Sequence, residues 1–185
     1  MPNLVIVALP TEDDYVNQIS SEKVAHMTLL FLGDMSKVQN LTKIIDFTKH
    51  AADIMLTQFD MEVDRRGVLG PDLADVLFFK KSKYGGFKDI NDFRSALLQN
   101  NNIRTAYDSV QQFDGFIPHL TLGYPTSPAK PDKRDYPGFW SVRFDRIAVW
   151  MKDFAGIEFP LKSYDYEETM LQTESFIENF LAHHK

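Results

Sequence analysis

Two stretches decide the fold of this chain: residues 24–33, VAHMTLLFLG, and residues 117–124, IPHLTLGY. Each is an apolar, strand-like run that contains a histidine and, two positions later, a threonine. Because side chains on a strand alternate between faces, His26 and Thr28 point to one side, and so do His119 and Thr121. The apolar residues between them point to the other side. Each strand therefore presents one imidazole and one hydroxyl together on one face.

The bulk composition predicts a single domain, residues 1–185. The chain has 185 residues, of which 44% are hydrophobic, and this is enough to bury a substantial core. Its net charge is -6 and its pI is near 5.3, which argues against binding duplex DNA but allows a small phosphorylated ligand in a locally basic cleft. There is no cysteine, so disulfides, thiolate metal sites and cysteine nucleophiles are excluded.

The amino-terminal apolar run, Leu4 to Leu9, is too short to cross a bilayer, and no basic start or small-residue cleavage site accompanies it. We therefore predict a cytoplasmic protein with no membrane partner.

Periodicity along the rest of the chain predicts alternating strands and helices. The most regular segment is an amphipathic helix over 36–55 with Ser36 as its N-cap. The other expected elements are a strand over 59–63, a turn over 67–71, a strand over 74–79, a helix over 87–98, a polar loop from 100 to the second histidine strand, a loop or lid over 126–138, strands over 142–150 and 156–164, and a terminal helix over 175–181.

The flanks of the two histidine–threonine pairs make the signal more specific than one such pair alone. Residues 26–33, HMTLLFLG, and 118–124, PHLTLGY, resemble the two HxT motifs of the 2H phosphoesterase superfamily. That group includes 2′-5′ RNA ligase-like proteins and 2′,3′-cyclic nucleotide phosphodiesterases. The resemblance extends from the first strand to about residue 165, and residues 67–77 also resemble phage-encoded members, whose location would be the host cytoplasm. Residues 166–185 lie outside it and are expected to form a C-terminal helical extension.

The resemblance implies a bilobal α+β fold, with two antiparallel sheets, flanking helices and pseudo-twofold symmetry around a central cleft. It also implies a site without metal or cofactor, in which His26 and His119 are the catalytic residues. An imidazole with an ordinary pKa near 6.5 can serve as base when neutral and as acid when protonated. Thr28 and Thr121 would hydrogen-bond the phosphate oxygens, and Tyr124 would bind the substrate.

Several functions remain open at this point. The first is hydrolysis of cyclic phosphates of nucleotides or RNA ends. The others are a phage anti-defence hydrolase of cyclic nucleotide or oligonucleotide signals, an RNA 2′-5′ ligase, and a non-catalytic phosphate-binding or nucleotide-binding module. The expected ligand is a nucleotide or cyclic oligonucleotide, or an RNA end, and the expected state is a monomer. Candidate cations for the phosphates are Arg65, Arg66, Lys80, Lys81, Lys83, Arg143 and Arg146.

Overall fold

The computed structural model describes residues 2–134, 139–163 and 166–183. Within them the strands are β1 (Asn3–Pro10), β2 (Met27–Asp34), β3 (Phe59–Leu69), β4 (Ala74–Phe79), β5 (His119–Gly123), β6 (Ser141–Lys152) and β7 (Ala155–Pro160). The helices are α1 (Val16–Ile19), α2 (Leu41–Met55), α3 (Gly86–Leu97), α4 (Asn101–Asp108) and α5 (Tyr166–His183). The predicted α+β class is confirmed.

All strand pairings are antiparallel and follow the order β2-β1-β6-β3-β4-β5, with β7 added to β6 beside β3. The long strand β3 belongs to both parts of this path. Its first residues, 59–62, pair with β6, and its remainder, 63–69, pairs with β4. The two antiparallel sheets that we expected are therefore connected: β3 belongs to both and links them into one continuous strand order. The two histidine-bearing segments lie at its opposite ends.

Helices α2, α3 and α4 pack against one face of the sheet, and the helices and this face together enclose the main hydrophobic core. Met27 and Leu29 of β2 and Leu120 and Leu122 of β5 are buried in this core, as the alternation predicts. Burial of such side chains is the main favourable term in folding, about 1.5–3 kcal/mol for each. The core therefore fixes the register of both strands and turns the alternate side chains toward the opposite face.

The predicted start of the long helix is wrong. Ser36 lies in a short 3-10 turn, Met35–Lys37, where its backbone N–H donates to the side chain of Asp34. α2 begins only at Leu41, after Asn40, which has a positive φ of 57°. Because a left-handed residue cannot continue a right-handed helix, Asn40 separates the two segments.

Two further predictions are wrong between the motifs. The expected turn over 67–71 begins too early, since Gly67 still pairs with Val76 inside β3 and the chain reverses after Leu69. The expected polar loop after Asn100 contains α4 instead. The Asn100 side chain accepts hydrogen bonds from the N–H groups of Asn102 and Ile103, so this asparagine starts a helix rather than ending one.

Near the carboxyl terminus the predicted strand pair is present as β6 and β7, and the predicted terminal helix lies within α5. The expected loop over 126–138 lies partly outside the described residues; its described part, 126–134, contains no helix or strand. No helix in the described part of the chain combines the length and apolar character needed to cross a membrane.

Candidate active site

Each motif histidine is held by the same local hydrogen bond. His26 Nδ1 lies 2.9 Å from the carbonyl oxygen of Val24, and His119 Nδ1 lies 2.7 Å from that of Ile117. A carbonyl oxygen only accepts, so Nδ1 carries the hydrogen in both rings. Nε2 is thereby left as the atom that accepts a proton when the ring is neutral and donates one when it is charged.

The segments around the two motifs are adjacent in space. Cα atoms of β2 and β5 approach within 8 Å, although the two strands are at opposite ends of the pairing path. The chain just before His26 is also bonded to β5: the Ser21 N–H donates to the Leu122 carbonyl at 2.7 Å, and the Ser20 hydroxyl donates to the Thr121 carbonyl at 3.3 Å. The fold therefore brings together two motifs that are far apart in sequence.

A cleft of about 350 Å³ opens between these strands, a volume in the range of small-molecule sites. The polar motif residues that line it are Thr28, His119, Thr121 and Tyr124. The rest of its wall comes from β2, the β3–β4 turn, α3, α4 and the loop before β5, and includes Phe31, Leu69, Asp72, Arg94, Tyr107, Gln112, Phe113 and Phe116. Most of this wall is apolar or aromatic, which suits a ligand with a flat ring as well as a phosphate.

His26 does not line this cleft itself; it directly precedes β2 and lies against β6 and the turn that follows it. Its ring packs edge-on against Trp150, with centroids 4.7 Å apart, and against Phe154 at 5.8 Å. Burial against this apolar wall lowers the pKa of His26 below its ordinary 6.5, although the Val24 carbonyl favours the charged form, and the nearby His119 lowers it further. Trp150 is buried, and its ring supports His26 from the side of β6.

His119 has a different neighbourhood on β4 and β3. Phe78 is its cross-strand partner, and Arg65 is the partner of Phe78, so the three side chains share one face. The Arg65 guanidinium lies 4.1 Å from the centre of the Phe78 ring. Burial lowers the pKa of His119 too, again against the opposing effect of its bonded carbonyl.

The hydroxyls of the site form a small group. Thr28 and Thr121 are half-buried and line the cleft together with the Tyr124 side chain. Burial raises the pKa of Tyr124 above its ordinary 10, and the charge of Glu22 raises it further, so this hydroxyl stays protonated at neutral pH. All three can therefore donate hydrogen bonds to phosphate oxygens.

Most of the predicted cations are engaged elsewhere. Arg66 pairs with Asp75 at 2.5 Å, Arg143 with Asp60 at 2.9 Å, and Arg146 with Asp145 at 2.9 Å. Lys80 pairs with Glu62. Arg65 lies over the ring of Phe78, the cross-strand partner of His119, and it does not line the cleft.

One cleft residue that the sequence did not predict is Arg94. Its Nε donates to the Leu29 carbonyl at 2.7 Å, and its guanidinium lies 4.0 Å from the centre of the Phe116 ring. Its position four residues after the buried Ile90 is the signal that could have indicated a half-buried arginine.

The described residues hold no group of three or more His, Cys, Asp or Glu side chains suited to bind a metal ion. The arrangement instead combines two imidazoles with donor hydroxyls, which are the groups needed for proton transfer around a bound phosphate.

No family model matches the sequence, and no curated protein is significantly similar to it. Solved structures do share its fold. TT0787 of Thermus thermophilus superposes with a TM-score of 0.54 at 18% identity, covering 88% of this chain and 100% of that one. LigT of E. coli complexed with 3′-AMP gives 0.52 at 19%, covering 87% and 95%. A structure described as a phosphoesterase gives 0.51 at 19%, covering 88% and 96%. The chain therefore shares the fold of these structures, which is the fold that the sequence resemblance predicted.

Proposed function

We propose that this protein is a 2H-type phosphodiesterase that hydrolyses cyclic phosphates of nucleotides or RNA ends without a metal ion. The observation that carries the proposal is the pair of motif histidines, each with Nδ1 bonded to a backbone carbonyl, beside a cleft that Thr28 and Thr121 line. The fold shared with phosphoesterase structures supports it. That LigT was crystallised with 3′-AMP supports a nucleotide as the ligand class.

In the proposed reaction a 2′,3′-cyclic phosphate binds with its phosphorus between the two imidazoles. The neutral histidine accepts a proton from water at Nε2 while the water oxygen bonds to phosphorus. The bond from phosphorus to one ribose oxygen breaks, and the protonated histidine donates its Nε2 proton to that oxygen. The product is a ribose phosphate monoester. The histidine that acted as the base is now protonated, and the one that acted as the acid is now neutral.

The threonines have a separate task in this mechanism. Hydrogen bonds from Thr28 and Thr121 hold the non-bridging oxygens and stabilise the negative charge that grows there. Which histidine begins as the base depends on how the substrate lies in the cleft, since both rings have the same tautomer.

The reaction can be identified with a panel of substrates in the presence of a chelator. The panel contains nucleoside 2′,3′-cyclic monophosphates, 2′-5′ and 3′-5′ linked dinucleotides, cyclic oligonucleotides, and RNA ends suited to joining. We expect monoester products from the 2′,3′-cyclic phosphates, at a rate that the chelator does not change. Joined RNA would favour the ligase, turnover of cyclic oligonucleotides alone would favour the signal hydrolase, and binding without turnover would favour the recognition module.

The lowered pKa values of the two histidines predict an acidic pH optimum. Above both pKa values the free enzyme has two neutral imidazoles and lacks the acid, while well below them it has two charged rings and lacks the base. The profile of kcat/KM should therefore be bell-shaped with its maximum below pH 6.5. The kcat profile should lie at higher pH, because a bound phosphate anion favours the imidazolium. A maximum of kcat/KM above pH 7.5 would contradict this assignment.

A further inference from the structure

The Arg94 side chain is oriented before any ligand arrives. Its Nε is bonded to the Leu29 carbonyl, which belongs to the strand that carries Thr28. Its central guanidinium carbon lies over the Phe116 ring, and Phe116 in turn stacks on Phe87 with ring centroids 6.3 Å apart and nearly parallel planes. The hydrogen bond and the stacking limit the rotation of the guanidinium, so little side-chain entropy is left to lose on binding.

The charge of Arg94 has no acidic partner among the described residues. No carboxylate there lies within ion-pairing distance, and Tyr107 is the side chain that interacts with it electrostatically. Burial lowers the pKa of this guanidinium, yet an arginine remains charged at any physiological pH. Partly removing a cation from water without a counter-charge costs free energy, which a bound anion would recover.

The position of Arg94 determines which anion it can meet. It lines the same cleft as Thr28, His119 and Thr121, but it reaches the cleft from α3, on the side that Phe31, Phe113 and Phe116 complete. The reacting phosphate belongs between the two histidines. Phe31, Phe113 and Phe116 offer rings on which a base can stack, so Arg94 stands beside the wall that would hold the nucleoside.

We propose that Arg94 binds a second phosphate of the substrate, so that the preferred substrate class is a nucleotide with a phosphate in addition to the one that reacts, such as a 5′-phosphorylated or oligomeric nucleotide. This inference rests on the proposed function for the placement of the reacting phosphate. The Nη groups of the guanidinium can supply the charge-assisted hydrogen bonds that such a phosphate accepts.

Binding measurements test the subsite without depending on turnover. The probes are adenosine 3′-phosphate and adenosine 3′,5′-bisphosphate, titrated into the wild-type protein, Arg94→Gln, Arg94→Lys and a control, Arg104→Gln. Arg104 is an exposed arginine on the neighbouring α4, where it pairs with Asp108 outside the cleft. We expect the wild type and the control to bind the bisphosphate about tenfold more tightly than the monophosphate. Arg94→Gln should remove this preference and leave the affinity for the monophosphate within about twofold, and Arg94→Lys should keep part of it.

Equal affinities of the wild type for the two probes would overturn the proposal, and this comparison needs no variant to fold. A preference that persists in a folded Arg94→Gln protein would overturn it as well. The outcome is separable from that of the substrate panel. If the protein shows the Arg94-dependent preference but hydrolyses none of the panel, the second-phosphate subsite is supported and the proposed reaction is contradicted. If it hydrolyses 2′,3′-cyclic phosphates but shows no preference for the bisphosphate, the reaction is supported and the subsite is contradicted.

Discussion

Replacing His119 by Asn is expected to lower kcat for a nucleoside 2′,3′-cyclic phosphate by about three orders of magnitude. The Asn side-chain N–H can still donate to the Ile117 carbonyl, as Nδ1 does, so the variant removes Nε2 while keeping the local structure. The same argument applies to His26→Asn and the Val24 carbonyl. Steady-state kinetics under saturating substrate, with circular dichroism to check folding, measures the effect.

The double variant His26→Asn/His119→Asn tests whether the two rings act as a unit. If one is the base and the other the acid of a single step, removing both should cost little more than removing one. His50→Asn is the matched control, since His50 is exposed on α2 and has no part in the cleft. More than a tenth of the wild-type kcat in either folded single variant would contradict the two-histidine mechanism.

The two rings are equivalent in their backbone bonds but not in their surroundings. His26 rests on the buried Trp150 and on Phe154, whereas His119 is the cross-strand partner of Phe78, whose ring lies under the Arg65 guanidinium. Burial lowers the pKa of both rings, and the charge of His119 lowers that of His26 further. A bound substrate phosphate would favour the protonated form of the ring that it approaches. The assignment of acid and base therefore follows the bound substrate and not the free protein.

The strands that carry the site could be predicted because their pattern is local. A period of two in an apolar run fixes which side chains are buried, and the structure buries Met27, Leu29, Leu120 and Leu122 as expected. The adjacency of β2 and β5 could not be derived in this way. It depends on the pairing of β3 with both β6 and β4, which joins residues far apart in the chain. The resemblance to a family supplied that step.

The errors in the helices have a common physical origin. Asparagine both starts and interrupts helices, and its role depends on backbone conformation that composition does not reveal. Asn40 adopts a positive φ and delays α2, while Asn100 is extended and caps α4. Because α4 was not predicted, part of the cleft wall was not predicted either: α4 and the loop after it contribute Tyr107, Gln112 and Phe113 to the cleft. Arg94 was missed because its role depends on Leu29 and Phe116, which contact it only in the folded chain.

Replacing Thr28 or Thr121 by Val is expected to lower kcat by about a hundredfold each. Valine has nearly the same shape as threonine, so the strand and its packing are retained while the hydroxyl is lost. The loss should appear mainly in kcat, because the hydrogen bonds strengthen as charge develops on the phosphate oxygens in the transition state. Thr28→Ser and Thr121→Ser keep the donor and should retain most of the activity.

Thr57→Val provides the control for this series, since Thr57 is exposed and lies outside the cleft. The position of each threonine within its strand allows a loss of stability in the valine variants to be told apart from a loss of catalysis. Thr28 is the cross-strand partner of Val7, and Thr121 of Val76, so a valine at either position extends an apolar row that already exists. The variants should therefore unfold at wild-type or higher denaturant concentrations. A large loss of activity accompanied by an equal loss in the serine variants would show that the hydroxyls do not act as phosphate donors.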